Sequence, residues 1–193
     1  MLLRPVEMRF AYRDGFAVPS PDAYETLLWD VMNGDATLGL LAVSRFLVDY
    51  PFAKRLYPKA LEVIAHVKKW GSAVLFTDGD VVFQPRKVER SGLYEAVDRH
   101  ALIYVHKEAE LADVEARHPA ARYVVVDDKL AILAAIKKVW KARATTIFVR
   151  QGHYALDPEI LANSPPADIS LESIGDLLGH DSTTLALPSR QIG

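Results

Sequence analysis

From Gly71 onward, short runs rich in β-branched and aromatic residues alternate with helical patterns. That alternation leaves few folds open, because neighbouring parallel strands need a crossover, usually a helix, between them. The runs are Ala73–Thr77, Ala101–Val105, Tyr123–Val126 and Thr145–Val149. Each is apolar almost throughout, the pattern of a strand covered on both faces. The stretches Pro85–Val97, Lys107–Arg117 and Leu130–Lys141 between them read as helices, the last carrying Leu130, Leu133, Ala134, Ile136 and Val139 near a helical stripe. Upstream, Pro58–Trp70 has Pro58 near its first turn and Gly71 just past its end, which suits a helix. Ala167-Asp168-Ile169-Ser170 reads as a short last strand, followed by a small helix through Leu178. The tail from Gly179 lacks periodicity and is expected to fray. The expected fold class is α/β, a mostly parallel sheet flanked by helices.

The first forty residues differ in kind. Val6–Tyr12 alternates apolar and polar residues like a strand with one exposed face, and Asp22–Met32 has helical spacing with Asp22 as its cap. Asn33-Gly34-Asp35 ends that helix. The expected organisation is therefore a strand-helix segment over 1–38, an α/β core over 39–180 and a flexible tail over 181–193.

Composition narrows the function. At 193 residues the chain is long enough to bury a core without staples. It has no cysteine, which excludes disulfides, thiol catalysis and thiolate metal sites and fits a reducing cytoplasm. A formal net charge of -2 gives no electrostatic reason to expect nucleic acid or an anionic membrane as partner. No apolar run is long enough to span a bilayer, and the start of the chain lacks a secretory pattern, so a cytoplasmic location is expected.

Open α/β sheets bind ligands at the carboxyl ends of their strands. Thr77, Asp78 and Asp80 fall there after the first run, Lys107 after the second, and Asp127 with Asp128 after the third. A hydroxyl, an ammonium and paired carboxylates converging on one crevice suit a phosphate and Mg2+, a hard cation that prefers oxygen ligands. Taken singly, each residue has a plainer role: aspartates after strands cap helices, and lysines are usually solvated. His66, His100, His106, His118, His153 and His180 have no close metal spacing and read as surface or structural residues, with His106 beside Lys107 near any phosphate. Gln151-Gly152-His153-Tyr154 reads as a packing loop at the crevice mouth, and Lys137, Lys138 and Lys141 as a solvated helix face.

The order Thr77, Lys107, Asp127-Asp128, together with GDVVFQPRKVERSGL, YVVVDDKLAILAAIKKVW and the closing ADISLESIGDLL, resembles the core of the haloacid dehalogenase-like hydrolases over roughly residues 46–178. The resemblance implies a Rossmann-like parallel sheet, with no room here for a substantial cap, and a Mg2+-dependent phosphatase acting on a small phosphorylated molecule. It implies that Thr77 and Lys107 bind phosphate and that Asp127 and Asp128 complete the metal site. In that family an aspartate pair opens the domain, its first carboxylate attacking phosphorus. Asp78 is not its counterpart, because Thr77 already holds the hydroxyl position and Ala101–Val105 carries no Ser or Thr; Asp78 and Asp80 are instead expected to shape the adjacent loop. Upstream, MRFAYRDG has Asp14-Gly15 but Tyr12 where the attacking carboxylate belongs, and Asp49 in FLVDYPF lacks the rest of the motif. A neutral tyrosine is a poor substitute for a carboxylate, so the nucleophile is unassigned and weak or absent activity is expected.

RPVEMRFAYRDGF followed by PDAYETLLWDVMNGDATL resembles a stretch near the C-terminal end of glucose-6-phosphate dehydrogenase, over roughly residues 3–38. That family's coenzyme-binding half and catalytic histidine have no counterpart here, so no oxidoreductase role carries over. The two resemblances imply a fusion, with a central strand slot left for Val6–Phe10, for Leu38–Val43 followed by Ser44-Arg45, or for a strand exchanged within a homo-oligomer; Leu38–Val43, apolar throughout, is the favoured occupant. Three function classes follow: a phosphatase, a phosphate- or metal-binding pseudoenzyme, and an assembly module that docks through the dehydrogenase-like segment.

Overall fold

The structure, a computed structural model, describes residues 2–3, 51–79, 83–152, 154–156 and 158–185. Its strands are β1 (Leu2–Leu3), β2 (Ser72–Ala73), β3 (Leu75–Asp78), β4 (Ala101–Tyr104), β5 (Tyr123–Asp127), β6 (Ala144–Val149) and β7 (Ile169–Leu171). Its helices are α1 (Ala60–Val67), α2 (Phe83–Arg90), α3 (Leu93–Ala96), α4 (Leu111–Arg117), α5 (Leu130–Trp140), α6 (Pro158–Asn163) and α7 (Ser182–Leu185), with 3-10 turns between several of them. The strand order is β2-β1-β5-β6-β7, with β3 and β4 forming a two-stranded unit, and every pairing is parallel.

Strand alternation divides the core in two. In β5, Val124 and Val126 join a buried cluster with Ala60, Val63, Ile64 and Val67 of α1, while Tyr123 and Val125 join a second with Leu133, Ile136 and Trp140 of α5. In β6, Ile147 and Val149 face the first cluster and Phe148 the second. The sheet is thus covered on both sides, the physical reason its strands read as unbroken apolar runs.

The structure moves several expected boundaries. The run Ala73–Thr77 is broken at Val74: Ser72–Ala73 pairs with Leu2–Leu3, whereas Leu75–Asp78 pairs with β4. Val74 itself is fully buried in the second cluster, so the break passes through the core. The helix expected over Pro85–Val97 divides into α2 and α3 at Ser91-Gly92, where Gly92 has φ 82°, a left-handed conformation that glycine adopts without steric cost. In α5, Val139 is 60% exposed rather than part of the buried stripe, and Trp140 takes that place by stacking on Tyr123 at 4.0 Å between ring centroids. Fraying does not begin at Gly179: Ser182–Leu185 is helical and Leu185 is buried in the first cluster.

The slot between β2 and β5 also differs from expectation. Leu2 and Leu3 occupy it, with Leu2 opposite Ser72 and Tyr123, and Leu3 opposite Ala73 and Val124. Leu2–Leu3 thus begins the slot, where Val6–Phe10 or Leu38–Val43 was expected. Both segments, along with Tyr12, Asp14, Ser44-Arg45 and Asp49, lie outside the described residues.

Candidate functional site

Thr77 and Asp78 end β3, Asp127 ends β5 with Asp128 directly after it, and Lys107 opens the 3-10 turn that follows β4. Parallel strands bring these carboxyl ends to one edge of the sheet. Thr77, Lys107, Asp127 and Asp128 are all buried, which is unusual for a lysine and two aspartates and requires partners.

The partners are largely one another. Lys107 Nζ lies 2.7 Å from Asp127 Oδ2 and 4.0 Å from Asp78 Oδ2. The Lys107 backbone N–H donates to Asp78 Oδ1 at 2.7 Å, so one carboxylate fixes where the turn begins while another receives the side chain. Asp127 Oδ1 accepts the backbone N–H of Lys129 at 3.0 Å, which ties the end of β5 to the start of α5. The Thr77 hydroxyl donates to Asp78 O at 3.2 Å and accepts from Gln84 Nε2 at 2.7 Å.

Thr77, Lys107, Asp127 and Asp128 therefore share one edge, and Asp78 anchors the Lys107 turn. Asp80 lies outside the described residues. His106 is exposed beside Lys107, and His153 is outside the described residues. Gln151 packs the loop after β6: its Oε1 accepts the N–H of Ile174 at 2.7 Å. His66 Nε2 donates to His180 O at 2.8 Å, and the His100 and His118 rings meet edge to face with centroids 5.3 Å apart.

Chemically, the edge offers a hydroxyl, a buried ammonium and a buried acidic pair, a set suited to holding a phosphoryl group. As a cation site it is partial. Asp128 supplies a hard oxygen donor, but Asp127 is engaged by Lys107 and Lys129, and among the described residues no group of three or more His, Cys, Asp or Glu could hold a metal ion.

No family model matches the chain. Among solved structures it is similar to a haloacid dehalogenase-like hydrolase from Burkholderia xenovorans LB400, at 39% identity and a TM-score of 0.77, covering 94% of this chain and 99% of that one. The chain belongs to the haloacid dehalogenase-like hydrolases. It is also 56% identical over 36 residues to glucose-6-phosphate 1-dehydrogenase of Mycolicibacterium smegmatis (strain ATCC 700084 / mc(2)155). That match spans 19% of this chain and only 7% of the dehydrogenase, a short segment of a much longer protein. The expected dehydrogenase-like region over about 3–38 lies outside the described residues apart from Leu3. No helix among the described residues is long and apolar enough to cross a membrane.

Two features of this edge escaped sequence reasoning. Gln84 sits in α2, seven residues from Thr77, and reaches its hydroxyl; the signal available was Gly79, placed where a backbone must make room for a side chain. The Lys129 ammonium stands 4.4 Å from the centroid of the Tyr154 ring, closing one side of the loops beyond β5 and β6. Sequence spacing gave no sign of that pair.

Proposed function

We propose that this hydrolase-family chain binds a small phosphorylated molecule or orthophosphate at the edge formed by Thr77, Lys107 and Asp128, and that its phosphatase turnover is weak or absent. The observation that carries the binding half is the burial of Lys107 and Asp127 as an ion pair beside Thr77 at the carboxyl ends of β3 and β5. A buried ammonium held in this way is a positive charge already oriented at the sheet edge, which a dianion reaches by displacing what covers its side chain. Mg2+ is the cation that the family uses generally, and Asp128 is the residue on this edge proposed to meet it.

The inert half rests on which carboxylates are committed. Asp78 holds the Lys107 N–H, and Asp127 holds Lys107 Nζ and the Lys129 N–H, so each has a structural duty that in-line attack on phosphorus would disrupt. Loss of the nucleophile lowers covalent catalysis by orders of magnitude. The test is an aryl phosphate assay with Mg2+ alongside an orthophosphate titration. The expected result is saturable binding that Lys107→Met weakens, with turnover indistinguishable from a blank. Turnover removed by both EDTA and Asp128→Asn would overturn the inert half, and absence of any binding would overturn the other.

The short dehydrogenase likeness favours a second reading, an assembly module that docks or exchanges a strand with a second copy through that segment. A strict monomer by solution mass measurement, with no partner retained on purification, would count against it.

A further inference from the structure

We propose that Gln84 is a positioning residue for the site: its side-chain amide holds the Thr77 hydroxyl so that the hydroxyl's proton is presented to a bound phosphate oxygen. The inference rests on the phosphate-binding reading above and adds to it a residue that neither the family resemblance nor the sequence spacing assigns.

A threonine hydroxyl has one proton to donate and lone pairs that accept. In the structure Gln84 Nε2 donates to Thr77 Oγ1 at 2.7 Å, a short contact, while Thr77 Oγ1 donates to Asp78 O at 3.2 Å. Hydroxyl bonds cluster near 2.7–2.8 Å, so the second contact is long and correspondingly weak. The amide thus fixes one accepting side of the oxygen and leaves the proton to another direction. A phosphate oxygen, charged and a better acceptor than a carbonyl, competes for that proton.

Gly79 is the second observation. A Cβ built there would fall 2.5 Å from both Cβ and Cγ of Gln84, closer than real Cβ atoms approach anything. These are the near atoms of the side chain, which cannot swing aside without moving α2. The backbone of Gly79 is meanwhile pinned, its N–H donating to Tyr104 O at 2.9 Å. The bare glycine and the glutamine therefore interlock, and together they deliver the amide to Thr77.

The experiment is a double-mutant cycle on the full chain, with Gln84→Leu, Thr77→Val and the pair, read by orthophosphate titration followed by 31P NMR. Gln84→Leu is expected to weaken orthophosphate binding about three- to tenfold, the worth of one hydrogen bond, in the wild-type background and to change nothing once Thr77 is Val. Equal weakening in both backgrounds, or none in either, would overturn the proposal. Thr77 is also read without ligand, by selective 13C labelling of threonine methyl groups. Gln84→Leu and Gly79→Ala are each expected to shift the Thr77 methyl signal in the same direction, with melting temperatures confirming that both variants fold. An unmoved signal sinks the positioning role by itself. If the signal moves but wild-type protein binds no orthophosphate, the phosphate-binding reading fails and the Gln84–Thr77 coupling stands.

Discussion

Lys107 Nζ lies 2.7 Å from Asp127 Oδ2, and neither side chain is exposed to solvent. The two residues come from the turn after β4 and the end of β5, so their pairing closes the sheet edge over its own interior. Burying both charges is costly, and removing only one leaves the other stranded. Lys107→Met is therefore expected to destabilise the fold by about 3–5 kcal/mol in urea unfolding. Adding Asp127→Asn, which removes the orphaned charge and keeps an acceptor for the Lys129 N–H, should return part of that loss. A single-variant cost no larger than that of a surface pair, about 1 kcal/mol or less, would contradict the buried pairing.

Asp78 separates two roles that sequence alone confuses. As an anchor it needs only an acceptor for the Lys107 N–H, which an asparagine oxygen supplies; as a nucleophile it needs the negative charge. Asp78→Asn is expected to keep near-native stability and orthophosphate binding, whereas Asp78→Ala should cost about 1–3 kcal/mol by leaving a buried donor unsatisfied. If Asp78→Asn abolished a measurable aryl phosphatase activity while the fold was intact, Asp78 would be the attacking group.

At the other end of the sheet Asp168 Oδ2 receives the Thr146 N–H at 2.8 Å, the Thr146 hydroxyl at 2.9 Å and Lys137 Nζ at 2.6 Å. These bonds tie the loop before β7 to β6 and α5. Asp168→Ala is expected to lower stability by about 2 kcal/mol, with Asp168→Asn intermediate, and to leave ligand binding at the opposite edge unchanged. Thermal melts and the orthophosphate titration check both halves.

Acid should loosen two places on the molecule in different pH ranges. Burial holds the His118 imidazole below its usual value, with the nearby charges of His100 and Arg117 adding to the effect. A histidine whose folded value is depressed contributes stability that is present above its unfolded value near 6.5 and is lost as pH falls through the lowered folded value. His118→Gln is therefore expected to flatten the stability profile below about pH 6.5 in urea melts followed against pH. An unchanged slope would exclude His118 as its source.

Asp181 acts lower on the scale. Its carboxylate accepts from the Thr183 hydroxyl and from the N–H groups of Thr183 and Thr184, which caps α7 and brings its value down to about 2. The contribution is full above the ordinary value of 3.8 and fades as pH falls toward 2. Amide exchange of α7 should accelerate over that interval ahead of the core, and Asp181→Ala should show the fast exchange already at neutral pH.

The pattern from Gly71 to Leu178 was enough to read a parallel α/β sheet and the chain order Thr77, Lys107, Asp127-Asp128, because strands buried on both faces must be apolar and their polar terminators stand out against them. The helical stripe of α5 was legible for the same reason, except at Val139 and Trp140, where stacking on a residue of a different strand decided which side chain went inward. Contacts distant in sequence decided the rest. Nothing local in LFTD announces that its strand breaks at Val74, or that Leu2 and Leu3 lie against Ser72–Ala73 and Tyr123–Val124, since register is settled by which backbone donors and acceptors find each other across the sheet. Likewise, composition marks Lys107 and Asp127 as polar and no more. Their burial as a pair, and the amide of Gln84 resting on Thr77 above Gly79, exist only because folding carries separate segments to one edge and excludes water from between them.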